Sequence, residues 1–312
     1  MEPLFLDSPM HEKIWGGNRL KTEFGYDIPS EHTGEYWAIS AHPNGVSYVK
    51  NGKYAGFHLA ELYKDKPELF GNPKTSVFPL LTKILDANDW LSVQVHPDDA
   101  YGLEHEGELG KTECWYIIDA EEGAEIIYGH KAKTKEELAS LIEAGDWDGL
   151  LSKTPVKKGD FFFVPSGTMH AIGAGIMVLE TQQSSDTTYR VYDFDRKDDQ
   201  GNLRELHLEK SIDVLTIGEP ANSRPVTTKV DDLKSTLLVA SDFFAVYKWE
   251  ISGKADFEKT ADYSLFSVLD GQGSLKVDGQ DYDIAKGSHF ILPSDVQAWE
   301  IKGNLELIVS HP

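Results

Sequence analysis

Apolar and polar positions alternate with a period of two along much of the chain. The alternation is sharpest at Leu91-Ser92-Val93-Gln94-Val95-His96-Pro97. Leu91, Val93 and Val95 point to one side of a strand, and Ser92, Gln94 and His96 to the other. The aliphatic face belongs in a core. The polar face carries an amide oxygen and an imidazole two residues apart. If the strand lines a small barrel, these groups converge on a point where a divalent cation fits. If it lies at a surface, they are an ordinary solvated face.

The same patterning predicts the neighbouring elements. Glu35–Ser40 and Val46–Val49 read as strands, and Trp15-Gly16-Gly17, Asn44-Gly45 and Asn51-Gly52 as turns. Residues 57–70 read as a helix interrupted at Pro67. Phe78–Asp86 is an apolar strand carrying one lysine, Lys83. Strands are expected at 113–118, 124–128 and 161–164, and residues 176–195 are strand-rich. Residues 134–145 form the clearest helix: Thr134 with Glu137 three positions on is a capping box, and Leu138, Leu141 and Ile142 form a stripe. A second helix is expected at 206–216. Residues 218–226 have linker composition, and beyond them short strands are expected at 243–251, 264–269, 273–277, 282–284, 289–292 and 305–309.

The two halves repeat. Gly159–Ser166 aligns with Gly287–Ser294, and Ile117–Ala120 with Val268–Gly271. The offsets of the two pairs differ by about the length of the capped helix and its flanks, which therefore read as an insertion in the first copy. A strand, a turn, a strand and then Gly-x-x-x-x-x-Pro-x-x-x-x-His resembles the cupin pattern. That resemblance implies a mainly β fold of two jelly-roll barrels with a few short helices. Residues 1–217 would form the first domain, 218–226 a linker and 227–312 a degenerate second domain. In the alignment His170 falls opposite Ala298 and Glu113 opposite Ser264, so any metal is expected in the first barrel alone.

Charge narrows the partners. A net charge of −22 over 312 residues argues against nucleic acid and anionic membrane surfaces. No apolar run approaches a membrane span and the first residues lack a signal-peptide pattern. The single cysteine, Cys114, precludes an intrachain disulfide, and the cytoplasm is the expected compartment. Only five arginines are present, and Arg190, Arg196 and Arg204 fall within fifteen residues. An anionic ligand would need such concentrated positive charge.

Gln94, His96, Glu113 and His170, from separate strands, make a donor set suited to Zn2+, with Mn2+, Fe2+ or Co2+ also compatible. One ion per chain is expected. His42-Pro43 echoes His96-Pro97 but lacks the preceding alternation and is left out of the set. Lys111 shares parity with Glu113, Lys83 lies on the preceding strand, and Ser92 shares the face of Gln94 and His96. Lys83, Lys111 and Arg190 are expected to form a positive island, with a salt bridge to Asp193 or Asp195 as the other reading of Arg190.

Gln94-Val95-His96-Pro97-Asp98, Gly110-Lys111-Thr112-Glu113 and Thr168-Met169-His170-Ala171 resemble the metal motifs of type I mannose-6-phosphate isomerases. Glu180 through Ser185-Asp186-Thr187-Thr188-Tyr189-Arg190 resembles that family's Glu…Ser-Asp-Asn-x-x-Arg motif, with Thr187 where Asn is usual, and Trp15-Gly16 fits its N-terminal signature. The short chain is similar to the compact bacterial branch. The resemblance implies interconversion of mannose 6-phosphate and fructose 6-phosphate through an enediol(ate). It gives Arg190 a catalytic role, leaves Lys111 and Glu180 as the proton-transfer candidates, and places Ser92 and Lys83 at the substrate phosphate. A monomer or small homo-oligomer is expected. Two other readings compete: a metal-dependent cupin oxygenase, which would favour an apolar pocket, and a non-catalytic sugar-binding cupin.

Overall fold

The structure is a computed structural model and describes residues 1–312. Its first barrel is built from two facing sheets. One has six strands, in the order Phe161–Val164, Glu113–Ala120, Ile176–Gln183, Leu80–Ala87, Met10–Gly17 and Thr33–Ile39. The other has five, in the order Tyr189–Tyr192, Val93–Val95, His170–Ile172, Glu125–His130 and Leu151–Pro155. Trp15, Leu85, Trp115, Ile117, Ile126, Ile172 and Val178 belong to one apolar cluster of this barrel.

Leu80–Ala87 and Ile176–Gln183 are buried at every position. Central strands covered on both faces read as near-continuous apolar runs, which is why Lys83 stands out in its strand. The outer cover comes from the second half of the chain. Leu80, Ile84, Met177 and Leu179 join Phe244, Leu265, Ile291 and Ile308 in one 30-residue cluster that spans both halves.

The second half contributes most of a nine-stranded sheet whose long strands, Ala245–Glu258, Ser264–Val277 and Ala298–His311, enclose a second core. Phe266 and Phe290 stack there at 4.8 Å, with Trp299 edge-on to Phe266 at 6.1 Å. This sheet also takes Leu4–Asp7 from the N-terminus, through the pairs Leu4 with Ile291 and Phe5 with Phe290. Residues 4–7 thus pair structurally with the C-terminal barrel, although they lie within the segment expected to form the first domain.

The internal repeat is physical. Gly159 N–H donates to the Ile117 carbonyl at 2.9 Å, and Gly287 N–H to the Val268 carbonyl at 2.9 Å. Ile117 N–H donates to Asp160, and Val268 N–H to Ser288, again both at 2.9 Å. Both glycines sit in left-handed conformations, φ 90° and 91°, which the tight turn into the next strand requires.

Several local expectations change. Trp15-Gly16-Gly17 ends the strand Met10–Gly17 and is not a turn. A Cβ at Gly16 would lie 2.5 Å from the Gly34 nitrogen, so glycine there permits close strand approach. The strands expected at 264–269 and 273–277 are one strand, Ser264–Val277, which passes its glycines with a register shift after Val268. The helix expected over 57–70 is Leu59–Asp65 followed by the 3-10 turn Pro67–Phe70. The helix Lys135–Ala144 is capped by the Thr134 hydroxyl, which accepts from Glu137 N–H, but the Glu137 carboxylate turns to Lys133 N–H, so the capping box is only half formed. The second expected helix is Leu208–Val214. Short helices at Arg19–Thr22, Asp99–His105 and Trp147–Leu150 were not expected. No helix is long and apolar enough to cross a membrane.

Candidate metal centre and its surroundings

The two sheets of the first barrel bring different chemistry to its interior. Residues directly opposite in an antiparallel pair share a face. In the six-stranded sheet Glu180 stands opposite both Lys83 and Trp115, and Gln182 opposite Glu113. In the five-stranded sheet Gln94 stands opposite both His170 and Arg190. Carboxylates and lysines therefore face imidazoles, an amide and a guanidinium across the barrel.

His96, Glu113 and His170 converge, with one potential ligand atom from each lying within 4.8 Å of the others. His96 Nδ1 is 2.8 Å from the Thr187 carbonyl, and His170 Nδ1 is 2.8 Å from the Thr168 carbonyl. A carbonyl only accepts, so each Nδ1 carries the proton and each Nε2 presents a lone pair. Burial holds both imidazoles in the neutral form. It pushes His170 down to about 4 and His96 well below its usual value, with Lys111 adding to both shifts. The two Nε2 lone pairs aim at Glu113, 3.5 Å from Oε2 for His96 and 3.3 Å from Oε1 for His170.

Neutral imidazole lone pairs facing a carboxylate are not ion pairs. His96 Nε2 is buried with no partner, and Glu113 Oε2 is buried and makes no hydrogen bond, though the Lys111 ammonium stands 3.3 Å from it. Such orphaned acceptors are costly in a closed interior. A divalent cation among them would satisfy the whole group, so the residues fit a metal with two imidazoles and a carboxylate. Gln94 lies on the same face. Its Nε2 donates to the Ser92 carbonyl at 3.1 Å and lies 3.4 Å from the Ser92 hydroxyl, leaving its Oε1 free of that contact. The strand itself is only Val93–Val95, shorter than the alternation implied.

Lys111 Nζ lies 3.3 Å from Glu113 and 3.9 Å from Glu180. Burial alone would discharge the amine, but the two carboxylates override it and raise its pKa. Glu180 moves up as well, because of burial and the neighbouring Glu113, against the pull of Lys111 and Lys83. One ammonium cannot fully neutralise two buried carboxylates, which leaves Glu180 with a raised affinity for a proton. Trp115 Nε1 bridges the pair, 3.1 Å from Glu113 Oε1 and 3.1 Å from Glu180 Oε2.

The expected positive island is instead charge-balanced. Lys83 lies 3.5 Å from Glu35 and over the Trp37 ring at 4.5 Å. Burial disfavours the Glu35 carboxylate, but Lys83, Lys13 and the Trp37 indole hold its pKa well below the usual range. With Lys111 between Glu113 and Glu180, the lysines are matched by acids from their own sheet, and Arg190 is the remaining cation. Arg190 does not pair with Asp193 or Asp195. Its Nη1 donates to the Glu205 carbonyl at 2.8 Å, and its Nε is buried with no partner. Arg196 and Arg204 both bind Asp193, at 2.6 Å each, so two of the clustered arginines are structural ties. Arg190 and Glu180 lie in opposite sheets.

Glu35, Trp37 and Trp115 were not among the expected site residues. Glu35 and Trp37 had a visible cue in the strand Glu35–Ser40, but nothing local tied that strand to Lys83. Gln182, opposite Glu113, leaves its Oε1 buried without a partner. A cavity of about 880 Å3 lined by Trp90, Trp147, Tyr192 and Phe194 lies away from all of these groups.

Fold and site together define a double-barrel protein of the cupin type, with a candidate metal centre inside its first barrel. Residues 4–119 match the family model of the type I phosphomannose isomerase catalytic domain, and residues 234–312 that of the mannose-6-phosphate isomerase cupin domain. A mannose-6-phosphate isomerase of Streptococcus mutans is 71% identical over 310 residues, covering 99% of this chain and 98% of that protein. A probable mannose-6-phosphate isomerase of Bacillus subtilis, GmuF, is 54% identical over 312 residues, covering 99% of each. The crystal structure of a mannose 6-phosphate isomerase from Bacillus subtilis superposes with a TM-score of 0.98 at 50% identity, covering 100% of both chains. The chain belongs to the type I mannose-6-phosphate isomerase family.

Proposed function

We propose that the chain interconverts mannose 6-phosphate and fructose 6-phosphate, using a divalent metal held by Gln94, His96, Glu113 and His170. The observation that carries the metal reading is the convergence of His96 Nε2, buried without a partner, with the lone pair of His170 Nε2 and the Glu113 carboxylate. Zn2+ suits this set of two imidazoles, a carboxylate and an amide oxygen best, with one ion per chain. When bound, the cation supplies Lewis acidity toward the sugar C1 and C2 oxygens.

The chain's own groups supply the remaining steps. Isomerisation moves a proton between C1 and C2. Glu180 is the group for this: its raised affinity for protons lets it both take and return one. Lys111, kept protonated by Glu113 and Glu180, donates to an oxygen that gains negative charge. Arg190 reaches the same interior from the opposite sheet and stabilises that charge with a planar fork. Ser92 and Lys83 are assigned to the phosphate end. Residues 1–217 carry the chemistry, and 227–312 form a barrel without ligands that buttresses the first. The buried, free Cys114 agrees with a reducing cytoplasmic setting. The enzyme acts on its sugar phosphate as a monomer or small homo-oligomer.

The charged interior speaks against the oxygenase alternative, and paired proton-transfer groups speak against a purely sugar-binding cupin. A coupled assay for fructose 6-phosphate formation tests the reading. Activity is expected with metal, abolished by a chelator and restored by Zn2+ or another divalent ion. Chelator-insensitive isomerisation would overturn the metal assignment, and no isomerisation would overturn the reaction.

A further inference from the structure

The imidazole of His96 is oriented by a carbonyl, and that carbonyl is itself held in place. Thr187, which supplies it, donates its hydroxyl to Glu108 Oε2 at 2.6 Å. The same oxygen accepts from the Ser185 hydroxyl and the Asp186 N–H, both at 3.2 Å. The other oxygen of Glu108 meets His42 Nε2. His42 Nδ1 accepts from Asn44 N–H at 3.1 Å, so Nε2 carries the proton and donates to the carboxylate. Glu108 thereby gathers four donors, three of them from the segment 185–187.

This contact is one of a series. Two residues earlier, Glu106 accepts from the Tyr189 hydroxyl at 2.8 Å, two residues after Thr187. Asp99 Oδ1 accepts from Gln183 Nε2 and from Gly110 N–H, both at 2.9 Å. Three acids on the stretch 99–108 therefore lace it to residues 183–189. That stretch runs directly into Lys111 and Glu113, and 183–189 runs directly into Arg190.

We propose that Glu108 is a positioning residue for the metal centre, setting the orientation of His96 through the Thr187 carbonyl and fixing the segment 185–187 against the stretch that leads to Glu113. The role rests on the metal reading given above, since it concerns how well the ligands are aimed. A carboxylate is needed because only an acceptor on both oxygens satisfies all four donors. In Glu108→Gln the amide nitrogen would face an N–H, of His42 or of Asp186, so at least one donor is lost and the tie between His42, Glu108 and the 185–187 turn is weakened. Thr187→Val removes one donor without touching Glu108, and Thr187→Ser keeps it.

The test is the affinity of the purified full-length chain for Zn2+, by competition with a chromogenic chelator, together with the visible spectrum of the Co2+ form. Glu108→Gln and Thr187→Val are each expected to weaken Zn2+ binding roughly tenfold to a hundredfold, as loss of outer-shell partners does, and to alter the Co2+ spectrum. Thr187→Ser is expected to retain affinity and spectrum. Wild-type affinity and spectrum in both Glu108→Gln and Thr187→Val would overturn the proposal even if their melting temperatures fell, because a merely structural strap moves only the latter. If Glu108→Gln does not fold, Thr187→Val carries the same readout alone. A wild-type chain that binds neither Zn2+ nor Co2+ would overturn the metal reading itself, whereas binding by wild type with equal binding by the variants would overturn the strap alone.

Discussion

In the first barrel Glu113 stands across from Val164, and at the equivalent rung of the second barrel Ser264 stands across from Leu292. Trp115 faces Glu180 in the first, where Phe266 faces Val309 in the second. His170 opens a strand in the first, and Ala298 opens the equivalent strand in the second. The backbone frame is the same, down to the paired bonds of Gly159 and Gly287. What differs is the cost of the interior. The second barrel fills its frame with Phe266, Phe290 and Trp299, groups that gain from burial. The first buries Lys83, Lys111, Glu113 and Glu180, groups that lose hydration and recover it only through close partners. The frame folds with either filling, so the charged filling is there for chemistry and not for stability.

Substitutions at matched rungs test that contrast most directly. Glu113→Ala is expected to lower turnover by about a thousandfold or more and to release metal, both read by the coupled assay and by metal analysis. Ser264→Ala, the same change of rung in the second barrel, is expected to leave turnover within twofold. Equal losses in the two variants would erase the functional difference between the barrels.

Arg190→Ala comes next. It is expected to cut turnover by about a hundredfold to a thousandfold while metal content stays at the wild-type level, since the role proposed for Arg190 is to meet developing charge and not to ligate the metal. A kinetic assay beside metal analysis separates the two; near-wild-type turnover would remove Arg190 from the mechanism.

A smaller effect should make one barrel resemble the other. Trp115→Phe installs the residue of the second barrel in the first and removes the indole N–H shared by Glu113 and Glu180. Turnover is expected to fall roughly tenfold, with stability lost by about 1–3 kcal/mol for two carboxylates deprived of a donor. Phe266→Ala should do the reverse: about 3–5 kcal/mol of stability lost in denaturant titrations, and turnover of the folded enzyme at low temperature nearly unchanged.

The least of these effects is a pH dependence in the second barrel. His289 is buried, its Nδ1 2.8 Å from the Ser267 hydroxyl and its Nε2 2.9 Å from the Tyr26 hydroxyl, and burial pushes it down to about 3. A histidine depressed in the fold binds its proton more readily when unfolded. Its contribution is therefore complete above about pH 6.5 and fades as pH falls toward 3, with a slope of up to about 1.4 kcal/mol per pH unit. His289→Asn should flatten the stability profile of the metal-loaded enzyme between pH 6 and 4; an unchanged profile would remove His289 as its source.

Much of this was legible in the chain because it is local. The alternation at Leu91–His96 exposed two candidate ligands, of which His96 joins the buried cluster, and the repeated Gly-to-Pro stretches aligned the barrels and placed Glu113 and His170 opposite Ser264 and Ala298. What stayed hidden depends on partners far away in sequence. Glu35 is an ordinary strand residue until the fold sets it beside Lys83. Thr187 contributes a backbone carbonyl, which no side-chain pattern announces. Arg196 and Arg204 looked like ligand-binding charge because Asp193, their partner, is equally visible as a surface acid. Trp15-Gly16-Gly17 has turn composition, yet its glycines serve strand approach.

The pairing of Leu4 and Phe5 with Ile291 and Phe290 has a consequence for synthesis. The strand Leu4–Asp7 joins a partner encoded roughly 285 residues later, which at 5–20 residues per second is a wait of about 15 to 60 seconds. Leu6 and Asp7 can pair early with Val49 and Tyr48, but through that interval the other edge of the strand is open, and the nascent chain must keep it from other edges. The sheet that joins the two halves is thus completed only once residues 290 and 291 have been made.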